Sequence, residues 1–311
     1  MSSKRWILVS WLLALFVLMT IMIFTLYLIK QGVPLRFSNS ISYDAKLNFI
    51  HNQDLLNGAD TIIIGSSMGL SDISGLTLEK SKKINKVANI SSWGMNTSEI
   101  LELFEIIDLS NVKYVIYGAQ YLDFCCDKKS IKINDREIKK FLKGDFLIKP
   151  YIKTANKIIL DLDDYIKYDS KYMDHRKYQN LDFDLAGDAL YASKNFNIEK
   201  DRWNHFEFQA TGFSDNSFKD LIKIIKKCNS KHIKFFLVIP PVRKKVLKSN
   251  KGQEKIFKSF IDKVSFLSKK YSFIYINMNN LLDLDDSNFV DSIHLNEKGA
   301  TKVSKEILKK L

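Results

Sequence analysis

From Trp6 to Ile29 the chain carries no charged residue, and the run WILVSWLLALFVLMTIMIFTLYLI would measure about 36 Å as a helix, enough to cross a bilayer. A cleavable signal peptide would have a shorter apolar core followed by small residues, whereas this run ends in Tyr27-Leu28-Ile29-Lys30. The expectation is therefore an uncleaved transmembrane anchor over residues 1–30. Lys4 and Arg5 precede it, Lys30 and Arg36 follow it, and Trp6, Trp11 and Tyr27 stand where aromatic belts lie. This modest charge bias places the amino terminus inside and the body outside the cytoplasm. No second long apolar run follows, so the rest is expected to be one soluble body held at a membrane.

That body has 46% hydrophobic residues in a chain of 311, ample for one sizeable core. Its net charge of +13 is spread along the sequence rather than gathered in a block, so nucleic acid is not implied as a partner. Cys125, Cys126 and Cys228 form neither a disulfide framework nor a zinc spacing, although a bridge from Cys228 to one of the pair is compatible with the count. Residues 31–57 read as a polar tether and 58–311 as one α/β domain. Its short apolar runs at Thr61–Gly65, Lys86–Ile90, Lys113–Gly118, Ile233–Pro240 and Phe273–Asn277 alternate with helical spacing at Ser98–Leu109, Ser217–Lys231, Glu254–Lys270 and Glu297–Leu311. Thr97 or Ser98 is expected to cap the first of these helices. The stretch 125–215 breaks the alternation and reads as an insertion over the carboxyl ends of the strands, either covering the site or elaborating the surface.

Within ADTIIIGSSMGLSD, Ser67 follows an apolar strand directly and opens a helix, the position at which a hydroxyl projects beyond a sheet edge. Gly65-Ser66-Ser67-Met68-Gly69 matches the nucleophile elbow of α/β-hydrolases, but it lies on the first strand, where that fold has none to spare. Near the carboxyl end, NFVDSIHLNEKGATKVSKEIL places Asp291 three residues before His294. A carboxylate there can hold the imidazole tautomer while the other ring nitrogen takes a serine proton.

With Ser67 early and Asp291-Ser292-Ile293-His294 late, the chain resembles the SGNH, or GDSL-like, superfamily of hydrolases and acyltransferases. The resemblance implies a flavodoxin-like three-layer α/β/α sandwich with a parallel sheet, preceded here by one transmembrane helix, and acyl chemistry without metal or organic cofactor. It implies Ser67, Asp291 and His294 as catalytic residues and an oxyanion hole from the amide of Ser67, from Gly94 in NISSWGMNTSEI, and from the third block. In that block this chain has Tyr117-Gly118-Ala119-Gln120, with Gln120 where the family carries Asn. Anchored members of the superfamily resemble enzymes that O-acetylate bacterial surface polysaccharides. The function expected is O-acetylation or de-O-acetylation of such a glycan through acyl-Ser67, supplied by a multi-spanning membrane acyl-transfer partner. A lipid-directed esterase or thioesterase, or a non-catalytic glycan-binding or assembly protein, are the alternatives. Asp123 is expected in a solvated loop, with a polar position in the pocket as the alternative, and Trp93 either in a pocket or in the core.

Overall fold

A computed structural model describes residues 3–125, 131–192, 200–205 and 212–311. Five strands, β1 (Thr61–Gly65), β2 (Val87–Asn89), β3 (Tyr114–Gly118), β4 (Lys234–Ile239) and β5 (Ile274–Asn277), pair in parallel in the order β2-β1-β3-β4-β5. This is the flavodoxin-like doubly wound order, and it is the fold expected. Because side chains alternate across a pleated strand, Ile62 and Ile64 join one apolar cluster while Ile63 joins the other. The first cluster is covered by α2 (Ile41–Asn52), α4 (Thr97–Ile106), α7 (Asp215–Ser230) and α8 (Lys251–Tyr271). The second is closed by α9 (Glu297–Leu308), through Val303 and Ile307, together with Ile73, Leu78 and Phe289. Helices thus bury both faces of the sheet, which accounts for strands that are largely apolar on both faces.

The anchor sequence forms α1 (Ser3–Lys30), the one described helix long and apolar enough to cross a membrane. Its side chains are exposed as far as Thr20; beyond that Ile21 and Phe24 are partly covered and Thr25 and Leu28 are buried.

The segment 31–57, expected as a tether, is instead folded onto the core. Leu35, Phe37, Tyr43, Leu47, Ile50 and Leu55 all belong to the main cluster. Charge hid this in the sequence, because α2 buries Asp44 and Lys46 as well as its apolar residues. Asp44 meets the Arg36 guanidinium at 3.0 Å and accepts from the Phe37 and Ser38 amides. Burial still pushes its carboxyl up to about 7. The Lys46 ammonium donates to the carbonyls of Asn89, at 3.2 Å, and Gly187. Burial lowers the Lys46 ammonium to about 7, and both groups lie buried with hydrogen-bonding partners.

Residue ends shift slightly elsewhere. Thr97 is the first residue of α4, and the cap is Asn96, whose side chain accepts from the Ser98 and Glu99 amides while Glu99 reaches back to the Asn96 amide at 2.7 Å. The Thr97 hydroxyl turns inward to the Asp123 carbonyl. Asp123 itself is fully buried, accepting from the Gln120 amide at 3.1 Å, rather than solvated. Trp93 is partly buried against the cluster at the base of α1.

The expected insertion contains α5 (Ile148–Leu160), α6 (Leu162–Ile166) and shorter helices at Asp135–Leu142, Tyr168–Tyr172 and Lys200–Trp203. Residues 126–130, 193–199 and 206–211 of it, with Cys126, lie outside the described residues. Cys228 is buried, and burial pushes its free thiol up to about 12.

Candidate active site

Three glycines let the strand ends and the short helix α3 (Ser67–Ser71) meet at backbone contact. Gly65 pairs with Gly118 across β1 and β3, and its φ of +153° falls where side chains are disfavoured. A Cβ on Gly65 would stand 2.4 Å from the Gly118 carbonyl oxygen, and one on Gly118 would stand 2.7 Å from Gly69 Cα. A third on Gly69 would meet Ser91 Oγ at 2.4 Å. Close approach of α3 to the sheet therefore sets the height of Ser67, which is half-buried at the carboxyl edge of the strands. Asn89, on β2, fixes α3 further by donating to the Gly69 carbonyl at 2.7 Å.

The loop before α9 brings the distant pair to this edge. Ser67 Oγ lies 2.8 Å from His294 Nε2, and His294 Nδ1 lies 2.8 Å from Asp291 Oδ2. Asp291 turns back on its own loop, Oδ1 accepting from the Ile293 amide at 2.8 Å and the His294 amide at 2.6 Å. Burial would raise this carboxyl, but the His294 charge and the hydrogen bonds from His294 and Tyr178 outweigh it and hold it at about 2. An ionised carboxylate only accepts, so the ring proton sits on Nδ1 and Nε2 of the neutral imidazole is left to accept from Ser67. For His294, burial favours the neutral ring, yet the Asp291 carboxylate prevails and lifts its pKa above the ordinary imidazole value. The arrangement can take a proton from Ser67 and stabilise the imidazolium that results.

Several polar groups that the sequence did not reveal hold this chain of contacts in place. Tyr178 donates to Asp291 Oδ2 at 2.6 Å and stands 3.2 Å from His294 Nδ1. Arg202 Nη1 donates to the Tyr178 hydroxyl oxygen at 2.6 Å, and the Arg202 carbonyl accepts from the Ser292 amide at 3.1 Å. Tyr191 stacks on Tyr178 with ring centroids 5.9 Å apart, donates to its carbonyl, and through its own carbonyl accepts from the first amide of α9. The short helix bearing Arg202 is clamped by Arg243, which lies 3.6 Å from the Trp203 ring, bonds its carbonyl, and donates its amide to Ser292.

Asp72, the residue after α3, ties the helix that bears Ser67 to the loop that bears His294, because its Oδ1 accepts from the Leu295 amide at 2.9 Å. Burial drives its carboxyl well above the ordinary range. Asp188, also raised by burial, receives the Gly75 amide at 2.5 Å and Asn89 Nδ2 at 2.8 Å. None of these residues has a distinctive spacing in the sequence. Only Asp72, inside the quoted strand-turn-helix run, lay next to a motif.

The two side positions proposed for the oxyanion hole sit differently. Gln120, 9% exposed, extends Nε2 to Ser66 Oγ at 3.3 Å, beside Ser67. Gly94 occupies an exposed turn at φ +72°, in a loop anchored where the Ser92 amide donates to the Gly65 carbonyl at 3.4 Å. Among the described residues no group of His, Cys, Asp and Glu is placed to hold a metal ion.

Among solved structures, the chain is similar to a GDSL-like lipase from Bacteroides thetaiotaomicron, with 9% identity, a TM-score of 0.41, and coverage of 85% of this chain and 97% of that one. It is similar also to a lipolytic G-D-S-L family protein from Desulfitobacterium hafniense, at 11% identity and TM-score 0.41, covering 81% of this chain and 99% of that one. A psychrotrophic esterase from Pseudoalteromonas matches at 13% identity and TM-score 0.34, over 80% of this chain and 95% of that one. No curated protein matches the chain. A family profile described as DltD protein matches residues 148–310, more than half of the sequence and the part that holds Tyr178, Arg202, Asp291 and His294. The resemblance to SGNH and GDSL-like enzymes holds, and the chain belongs to the DltD protein family.

Proposed function

We propose that the protein transfers an acyl group through an ester on Ser67 to a hydroxyl of a bacterial cell-surface glycan or polymer. The observation that carries this reading is the hydrogen-bonded series Ser67 Oγ, His294 Nε2, His294 Nδ1 and Asp291 Oδ2, each link 2.8 Å. His294 takes the Ser67 proton as Oγ bonds to the acyl carbonyl carbon. It returns that proton to the leaving group of the donor as the carbon–leaving-group bond breaks. The acceptor hydroxyl then gives its proton to His294, attacks the ester, and restores Ser67. Negative charge on the carbonyl oxygen is met by the Ser67 amide, the Gly94 amide and the Gln120 side chain.

The acyl group expected from the resemblance to anchored members of the superfamily is acetyl. Membership of the DltD family, associated with D-alanyl transfer, favours D-alanyl as the group to test beside it. The apolar helix α1 fits a membrane anchor, and this reading places the body on the outer side, where a multi-spanning partner would deliver the acyl group across the bilayer.

The test uses the full chain in detergent with acetyl and D-alanyl thioester donors, with and without a polyol-phosphate or oligosaccharide acceptor. Mass spectrometry should find one acyl group on the Ser67 peptide, discharged faster when acceptor is present and absent in Ser67→Ala. Acylation that persists in Ser67→Ala sinks the proposal. Discharge indifferent to every acceptor reassigns the protein to ester hydrolysis.

A further inference from the structure

The insertion exposes apolar side chains that the site does not use. On α5, Ile148, Ile152 and Ile159 form a stripe at helical spacing and are 63%, 53% and 55% exposed. Leu160 and Leu162 continue it across the junction to α6. The same helix turns Pro150, Thr154 and Ile158 inward, and Lys149, Lys153 and Lys157 lie on the remaining flank. A surface helix normally has one buried apolar face and two polar flanks. Here one flank is apolar and open.

Its neighbour is the membrane helix. α5 packs against α1, and a shared cluster joins Ile158 to Phe24 and Leu28. The apolar run of α1 is about 36 Å long against about 30 Å of hydrocarbon. Counted from the Trp6 end, the hydrocarbon reaches to about residue 26. Phe24 and Thr25 fall within that depth, so whatever covers them stands at the membrane boundary. The connection leaves little freedom to swing away from it. Val33, Leu35 and Phe37 are buried, and the Arg36 amide donates to Thr154 Oγ1 of α5 at 2.9 Å.

We infer that the open flank of α5 and the start of α6 lie in the surface of the bilayer that α1 crosses, with the α5 lysines at the headgroup level. The inference rests on reading α1 as a membrane anchor. Apolar side chains sunk into the headgroup boundary beside basic ones are the arrangement of interfacial helices. Because Arg36 and α2 tie α5 to the core, this second attachment fixes the orientation of the strand ends, and with them Ser67, relative to the membrane.

The test uses the full chain reconstituted in vesicles of phosphatidylcholine and phosphatidylglycerol. Cys125 and Cys126 are replaced by Ser, and buried Cys228 is kept. A fluorophore is attached in turn at Ile152→Cys, Leu160→Cys, Leu15→Cys on α1, and Lys305→Cys on α9 across the sheet. Labels at 152 and 160 should lose most of their emission to lipids carrying a shallow brominated quencher and little to aqueous iodide, and 305 should show the reverse. Quenching by iodide at 152 and 160 while 15 answers to the lipid quencher overturns the inference and leaves the anchor standing. Protection from both quenchers also overturns it, by placing a second copy over the face. Loss of lipid quenching at 15 overturns the anchor itself and the inference with it.

Discussion

The carboxyl edge of the sheet and the segment laid over it contribute to the same site by different means. At the edge, Ser67 is positioned by its own strand, turn and short helix, and by three glycines whose hydrogens admit close backbone contact. Asp291 and His294 are three residues apart on one loop. In the overlying segment, Tyr178 meets Asp291 across 113 positions of sequence, and Asp188 meets the Gly75 amide across another 113. The groups proposed to react are placed by local geometry, whereas the groups that hold them are recruited from wherever the fold brings a polar side chain to a buried carboxylate.

Substitutions on the two sides should therefore differ in size and in kind. At the edge, Gln120→Ala should lower the rate of Ser67 acylation by about a hundredfold to a thousandfold, the usual cost of one oxyanion donor. The pH profile should keep its shape. A loss of less than about tenfold, measured by rapid-quench mass spectrometry, would remove Gln120 from the hole and leave its bond to Ser66 as a turn contact.

Over the site, Tyr178→Phe should act more gently and through pH. In the proposed mechanism acylation needs neutral His294, so with its pKa raised by Asp291 the rate should climb as pH rises through a value above the ordinary imidazole range. Removing the Tyr178 hydroxyl takes away a donor that shares the Asp291 charge. More of that charge is then left to stabilise the imidazolium, and the acid limb should move to higher pH by about one unit, the equivalent of one hydrogen bond of about 1.5 kcal/mol to a charged group. A profile that falls uniformly without moving would make Tyr178 a packing residue only.

The same division describes what could be read in the sequence. The strands and a doubly wound α/β domain were legible because apolar β-branched runs alternate with helical spacing, the flavodoxin-like arrangement was implied by the resemblance to the superfamily, and Ser67, Asp291 and His294 stood out because each sits in a short block. Helix α2 was not legible, since Asp44 and Lys46 interrupt its apolar pattern and only Arg36, Asn89 and Gly187, met in three dimensions, make their burial affordable. The cap of α4 was misplaced by one or two residues because Asn, Thr and Ser stand in a row, and only the backbone of Asn96, extended at φ −93° and ψ 174°, selects among them. Tyr178 and Arg202 lie in a stretch of Tyr, Lys and Asp with no periodicity to set them apart.

The most direct test of the account is labelling of the full chain with a serine-directed fluorophosphonate, followed by peptide mapping. The adduct should fall on Ser67, disappear in Ser67→Ala and form far more slowly in His294→Ala, with the rate in the parent protein rising with pH as His294 loses its proton. An adduct on another residue, or a Ser67 adduct forming at the same rate without His294, would contradict it.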